Sequence, residues 1–222
     1  MTNYRQAITR AFHSATDALK SKIVRTKTIE AELLAITAIA ANIVQKSSVL
    51  SLAGLKAVTV LIDHGRTATT AFVGKGTQYI VEASQKASGD DAWIPLATFE
   101  AEIATAVETT ADGAEAAGQT VIECNDQVPS IDDFVFWENA TLALSEWGRV
   151  VARNAGVGVE TFTLEDGLTN AQAVAKKIYN KAHRWSWVFE VGSLTRMRVV
   201  VNNAAPTTSV AIKARVACIT ES

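Results

Sequence analysis

Several signatures that announce an enzyme or a nucleic-acid binder are missing from this sequence. Cysteine occurs only at Cys124 and Cys218, too few for a disulfide scaffold or a four-thiolate zinc site. The opening MTNYRQAITR has no apolar leader segment, so the expectation is a protein kept in a reducing compartment. No G-x-S-x-G nucleophile elbow occurs anywhere. The three histidines, His13, His64 and His183, lie far apart without a close cysteine or histidine partner, and Asp126, Asp132 and Asp133 do not follow a calcium-loop pattern. No cofactor and no metal are expected. Basic residues are nearly absent from residues 90–166, where two Lys/Arg face sixteen acids. Such a segment would repel a phosphate backbone, so nucleic acid is not an expected partner, and no membrane segment is expected either.

What is present is an ordinary globular composition: 222 residues, 48% hydrophobic and 20% charged, enough chain for one large domain or one domain with a sizeable insertion. The formal net charge of −2 conceals segregation. Residues 1–28 hold six basic residues against one acid, and residues 167–222 hold eight against two. The acidic block is expected to face the basic ends of the same or a neighbouring chain, the alternative being a merely solvated acidic face.

Over Thr28–Lys46, Ile29, Leu33, Ile36, Ala40 and Ile43 recur at alternating steps of four and three without Pro or Gly. That spacing predicts a helix, and Leu34, Ile39 and Val44 widen its apolar stripe. Phe12, Ala15 and Leu19 hint at a short basic amphipathic helix before it. Beyond Gln45 the period becomes two. Val58, Val60 and Ile62 share one face, as do Tyr79, Val81 and Ala83, then Trp185, Trp187, Phe189 and Val191, then Met197, Val199 and Val201, and finally Val210, Ile212, Ala214, Val216 and Cys218. AWIPLATF reads as an edge strand because Pro95 has no N–H for a ladder. EIATAVETTADGAEAAGQ reads as a connector, and AQAVAKKIYNKAH as a short helix.

The predicted class is therefore mainly β: an antiparallel sandwich with an inserted small β-module and an N-terminal helical arm. The expected divisions are 1–46 for the arm, 47–117 for the first part of the sandwich and a connector, 118–182 for the acidic module, and 183–222 for the last sandwich strands.

Two motifs invite chemistry. VLIDHGR, residues 60–66, sets acid, imidazole and guanidinium within four positions, but neighbours on a strand point to opposite faces, so Asp63 and His64 should diverge before a turn at Gly65. FVGKGTQY fails the Walker pattern, with Gly76 after Lys75 and Thr69 where a glycine is needed, and fails the dinucleotide fingerprint at Tyr79. It is expected to be a hairpin turn. Trp93, Trp137 and Trp147 stay eligible for an interface, while Trp185 and Trp187 alternate with Phe189 as core.

SLAGLKAVTVLIDHGR, GTQYIVEASQKASGDDAWIPLATF, FVFWENATLALSEWGRVV with TLEDGLTNAQ, and LTRMRVVVNN together resemble, in pattern and order, virion structural proteins of tailed phages, in the capsid cement or decoration class. The resemblance covers residues 47–219. It implies a non-enzymatic β-sandwich on the surface of an assembled shell, made in the bacterial cytoplasm, whose partners are the major capsid protein and its own copies, usually as a trimer. Phe12, Leu19, Ile29, Leu33, Ile36, Ile43, Trp137 and Trp147 are the candidate interface residues. A tail or receptor protein that binds glycans through a tryptophan is the alternative, and a hydrolase would need His64 exposed beside a nucleophile.

Overall fold

The computed structural model describes residues 27–67, 69, 71, 74–125, 127–155, 160–204 and 212–221, with the side chains of residues 27–30 outside that set. Among the described residues, fifteen strands and one 3-10 turn follow in chain order. They are β1 (Lys27–Ile39), β2 (Val44–Lys46), β3 (Leu50–Ser51), β4 (Ala57–Arg66), β5 (Thr77–Ser84), β6 (Ile94–Glu100), β7 (Glu108–Thr110), β8 (Val121–Cys124), β9 (Phe134–Trp137), the turn Leu142–Leu144, β10 (Glu146–Asn154), β11 (Glu160–Leu164), β12 (Lys177–Tyr179), β13 (His183–Glu190), β14 (Arg196–Asn203) and β15 (Ile212–Glu221).

Two sheets make the sandwich. One has the order β1-β15-β4-β13, the other β2-β14-β5-β6, with β3 also on β14, and every pairing is antiparallel. The inward residues are those that period-two alternation selects: Val58, Val60, Ile62, Tyr79, Val81, Ala83, Met197, Val199, Val201, Ala214, Val216 and Cys218 are all buried in one core. Trp185 and Trp187 are partly buried against it. β6 is an edge strand, and the register slips between Val81 and Glu82 where Pro95 enters the ladder.

The predicted helix over Thr28–Lys46 is strand. β1 carries register shifts between Thr28 and Ala31, Glu32 and Leu34, and Leu34 and Thr37. A bulge inserts a residue and re-aims the side chains after it. Leu33 and Leu34, which a regular strand would send to opposite faces, both pack on the sandwich core, and Ile39 returns to it. Three shifts in one strand thus break its period of two: of the predicted stripe, Leu33 reaches the core, whereas Ile36 lines a surface cleft and Ile43 is exposed. The chain then turns at Asn42, whose φ of 59° is a left-handed conformation that Asn tolerates, and passes to the other sheet as β2.

The predicted hairpin at FVGKGTQY is also corrected. β4 and β5 lie in different sheets, so that connection crosses the sandwich from one layer to the other. Likewise no helix forms over residues 171–183; they carry β12 and run into β13.

The remaining strands form a second body in the order β7-β12-β9-β10-β11-β8. Its two ends meet. Ala111 bridges Cys124, Asp112 N–H donates to the Glu123 carbonyl at 3.0 Å, and Asn125 N–H donates to the Thr110 carbonyl at 3.0 Å. The sheet is therefore a small closed barrel, and closure satisfies the edge groups that an isolated six-stranded sheet would expose. Ala111, Ile122, Cys124, Val135, Trp137, Val150, Phe162, Leu164 and Ile178 fill it. The connector read in residues 101–118 supplies its first strand, β7.

Candidate functional site: the cleft between sandwich and barrel

VLIDHGR lies where the two bodies meet. β4 runs straight through Gly65 and Arg66, so there is no turn at Gly65. The glycine serves a close approach: a Cβ there would lie 2.5 Å from Phe136 Cγ, so only hydrogen lets the β9 ring pack on the strand. Phe136, Tyr179 and Ala182 form the buried seam, with Phe134 and Trp147 against it.

Asp63 and His64 diverge, as alternation requires. Asp63 faces outward and is 4% exposed; its carboxylate accepts from Arg184 Nε at 2.6 Å and lies 3.7 Å from Arg215 Nη1. Arg215 Nε in turn donates to Glu32 at 3.2 Å. Arg184, Asp63, Arg215 and Glu32 thus form one row of alternating charge across β13, β4, β15 and β1. His64 faces the sandwich interior, fully buried, and shares a 2.7 Å hydrogen bond through Nδ1 with the Tyr79 hydroxyl. Burial, reinforced by His183 and Arg66, pushes its pKa down to about 3. Burial also pushes Tyr79 well above the usual phenol range, with Asp63 adding to it. The pair is thus a neutral imidazole sealed against a neutral phenol.

Glu32, Arg184 and Arg215 of this row line a cleft of about 420 Å³, walled by Ile36 from β1 and by Glu146 and Trp147 from β10. Glu146 is fixed by three donors: Thr169 N–H at 2.6 Å, Asn170 N–H at 2.7 Å and Gln172 Nε2 at 3.0 Å. The Trp147 ring lies 4.9 Å from Phe136, and its Nε1 is enclosed without a hydrogen-bond partner. A smaller cavity of about 150 Å³ shares Glu146, Trp147 and Arg184 and reaches Trp137. The cleft can accept groups that stack on an indole and bond to guanidinium. Among the described residues, no cluster of three or more His, Cys, Asp or Glu is placed to hold a metal ion, and no helix is long and apolar enough to cross a membrane.

Of the described candidate interface residues, Ile36 and Trp147 meet on opposite walls of this cleft, and Trp147 and Trp137 both line the smaller cavity. Leu33 is in the sandwich core and Trp137 in the barrel core. Ile43 is 47% exposed in the turn before β2. Phe12, Leu19 and the side chain of Ile29 lie outside the described residues, as does the arm before Lys27. Trp93 is held elsewhere: the Arg196 and Arg198 guanidiniums lie 4.5 and 4.1 Å from its ring, and its Nε1 donates to Asp90 at 2.8 Å. The acidic block finds some of its partners within the chain, in Lys177–Glu108 at 3.0 Å and Lys181–Glu102 at 3.1 Å. Sequence reasoning missed the charged row. The outward parity of Asp63, Arg184 and Arg215 is legible on their strands, but the pairing of β4 with β13 and β15, from far along the chain, is not.

No family model and no curated protein matches the sequence. Among solved structures, VP17, a capsid protein of bacteriophage P23-77, overlays at a TM-score of 0.23 with 10% identity, covering 90% of this chain and 99% of that one. A chain from the structure of infectious bursal disease virus Gx strain overlays at 0.22 with 9% identity, covering 90% and 82%. Overlays at this level carry no functional weight.

Proposed function

We propose that this chain is a non-enzymatic virion structural protein of a tailed phage, attached to the assembled capsid and stabilising it in the manner of a cement or decoration protein. The reading rests on the resemblance carried by residues 47–219, and the observation in the molecule that supports it best is the separation of its charge. Sixteen acids lie in residues 90–166, which include most of the barrel, while the basic segment 1–28 leads into β1 at the border of the sandwich. Complementary blocks on separate parts of one chain suit contacts repeated between neighbours on a lattice. Each copy need bury only a modest apolar area, at about 25 cal/mol per Å², because repetition over a shell multiplies small contacts. The buried commitment of Asp63 and His64 to structural partners is in keeping with a role that involves no turnover.

The test is a binding assay of the purified chain with shells that lack it, read by co-sedimentation and by the temperature at which the shells rupture. Saturable binding and a raised rupture temperature are expected; neither would occur for a soluble factor. The half-buried Trp147 beside Arg184 favours a second reading, a tail or receptor protein that takes a glycan in the cleft. Quenching or shift of tryptophan fluorescence by sugars, lost in Trp147→Ala, would favour it over the first.

A further inference from the structure

We infer that β13 is a self-pairing edge at which two copies of this chain join across a two-fold axis, a contact independent of any attachment to a shell. Sheet edges invite association and are usually blunted. The others described here are. β1 has three register shifts, and Ser48 N–H caps its Leu33 carbonyl at 2.9 Å; β2 has three residues; β6 carries Pro95 and a bulge; the barrel has closed its ends. β13 has none of these devices. Its eight residues pair one to one with β4 in unbroken register, from His183↔His64 to Glu190↔Ala57, and no strand covers its far side among the described residues.

Parity identifies the open groups. Val191 N–H donates to the Lys56 carbonyl at 2.9 Å, so odd-numbered residues point their backbone groups at β4 and even-numbered ones away. Arg184, Ser186, Val188 and Glu190 therefore offer outward N–H and C=O groups, to which no backbone group bonds among the described residues. Their side chains lie on the sheet's exposed outer face, with Val188 59% exposed.

The sequence of this strand, HRWSWVFE, is complementary to itself when reversed about Trp187. An antiparallel second copy centred there sets Arg184 against the second copy's Glu190 at both ends, Ser186 against Val188, and Trp185 against Phe189. Trp187 meets its own counterpart at a non-hydrogen-bonded position, where strands approach most closely. The four outward residues then exchange about eight backbone hydrogen bonds between copies. Opposite charges meet on the outer face, and aromatics meet on the inner one: the partly buried Trp185 and Trp187 and the buried Phe189, with Trp187 stacked on Phe189 at 5.2 Å. Two four-stranded sheets would become one of eight, and the symmetry of the contact calls for a dimer or a multiple of two.

Sedimentation of the full chain at tens of micromolar, roughly the range in which a functional interface is populated, tests this. The wild type is expected as a dimer or larger even-numbered assembly. Glu190→Arg sets like charges together at both ends, and Val188→Pro removes an outward N–H without touching the β4 ladder. Each should weaken association by roughly tenfold or more while leaving the melting curve native. Ser186→Cys with Val188→Cys should cross-link two copies on oxidation, whereas either cysteine alone should not, because 186 faces 188 and not itself. Cys124 and Cys218 are buried and leave a low background. A monomeric wild type, an assembly that survives both single substitutions, or equal cross-linking by single and double cysteine variants would overturn the inference.

Discussion

Mild acid should destabilise this chain through His64. Its imidazole is fully buried, bonded to the Tyr79 hydroxyl at 2.7 Å, and flanked by His183 at 5.9 Å between ring centroids and by Arg66 on its own strand. Its folded-state pKa lies at about 3, against 6.5 for an ordinary histidine. Between those values the unfolded chain binds a proton that the folded chain refuses, so unfolding is favoured as pH falls through 6.5 and the loss is complete only near 3. At pH 5 the difference amounts to about 2 kcal/mol, and over the whole interval to about 5 kcal/mol. A comparison of pH 7.5 with pH 5 avoids the range in which most carboxylates titrate. Denaturant unfolding at the two values should show the wild type losing about 2 kcal/mol or slightly more, since His183 is also lowered by burial and shifts stability in the same direction. His64→Gln keeps a polar partner for Tyr79 but has nothing to protonate, and should lose much less. Equal stability of the wild type at both pH values, or an unchanged slope in His64→Gln, would mean that His64 is not the sealed neutral group described.

Gly65→Ala should cost roughly 1–3 kcal/mol by driving a methyl into the Phe136 ring, and the cost should shrink in a Phe136→Ala background, a coupling read from a double-mutant cycle. Cys218→Ser should destabilise by roughly 1–3 kcal/mol through a buried hydroxyl, and the native thiol, whose pKa burial raises to about 12, should resist thiol reagents that modify a free peptide at once. Deletion of residues 1–27 should leave the sandwich folded, because its core strands from β2 onward are untouched, while attachment to shells falls; raised salt should mimic part of that loss, since exposed charges are screened beyond roughly 8–10 Å. Unchanged attachment would remove the anchoring role, and a collapsed melting curve would assign the segment to the fold.

The sequence was most legible where one physical rule acts alone. The alternation in β4, β5, β13, β14 and β15 selects the sandwich core residue by residue, because a regular strand sends every second side chain inward. The same rule separates Asp63 from His64 and so dissolves the apparent acid–imidazole pair. Legibility failed where two rules compete. In β1 the bulges interrupt the period, so Leu33, Leu34 and Ile39 reach one core without the alternation that marks the other strands. At Gly65 local turn chemistry suggested an ending, but the glycine answers to Phe136, more than sixty positions away. The cleft is of the same kind: Ile36, Trp147, Arg184 and Arg215 are joined by sheet order and by the docking of barrel on sandwich, and neither leaves a local mark. The barrel's closure rests on the contact of Cys124 with Ala111, the latter in a run whose weak periodicity gave no strand signal.

The most direct test of the proposed virion role is to image purified particles of a phage whose genome encodes this chain, at a resolution that resolves strands, and to search them for it. The account predicts density for the sandwich with its closed barrel, repeated over the capsid surface and touching more than one coat subunit. Particles that lack the chain, or that carry it only at the tail tip, would contradict it.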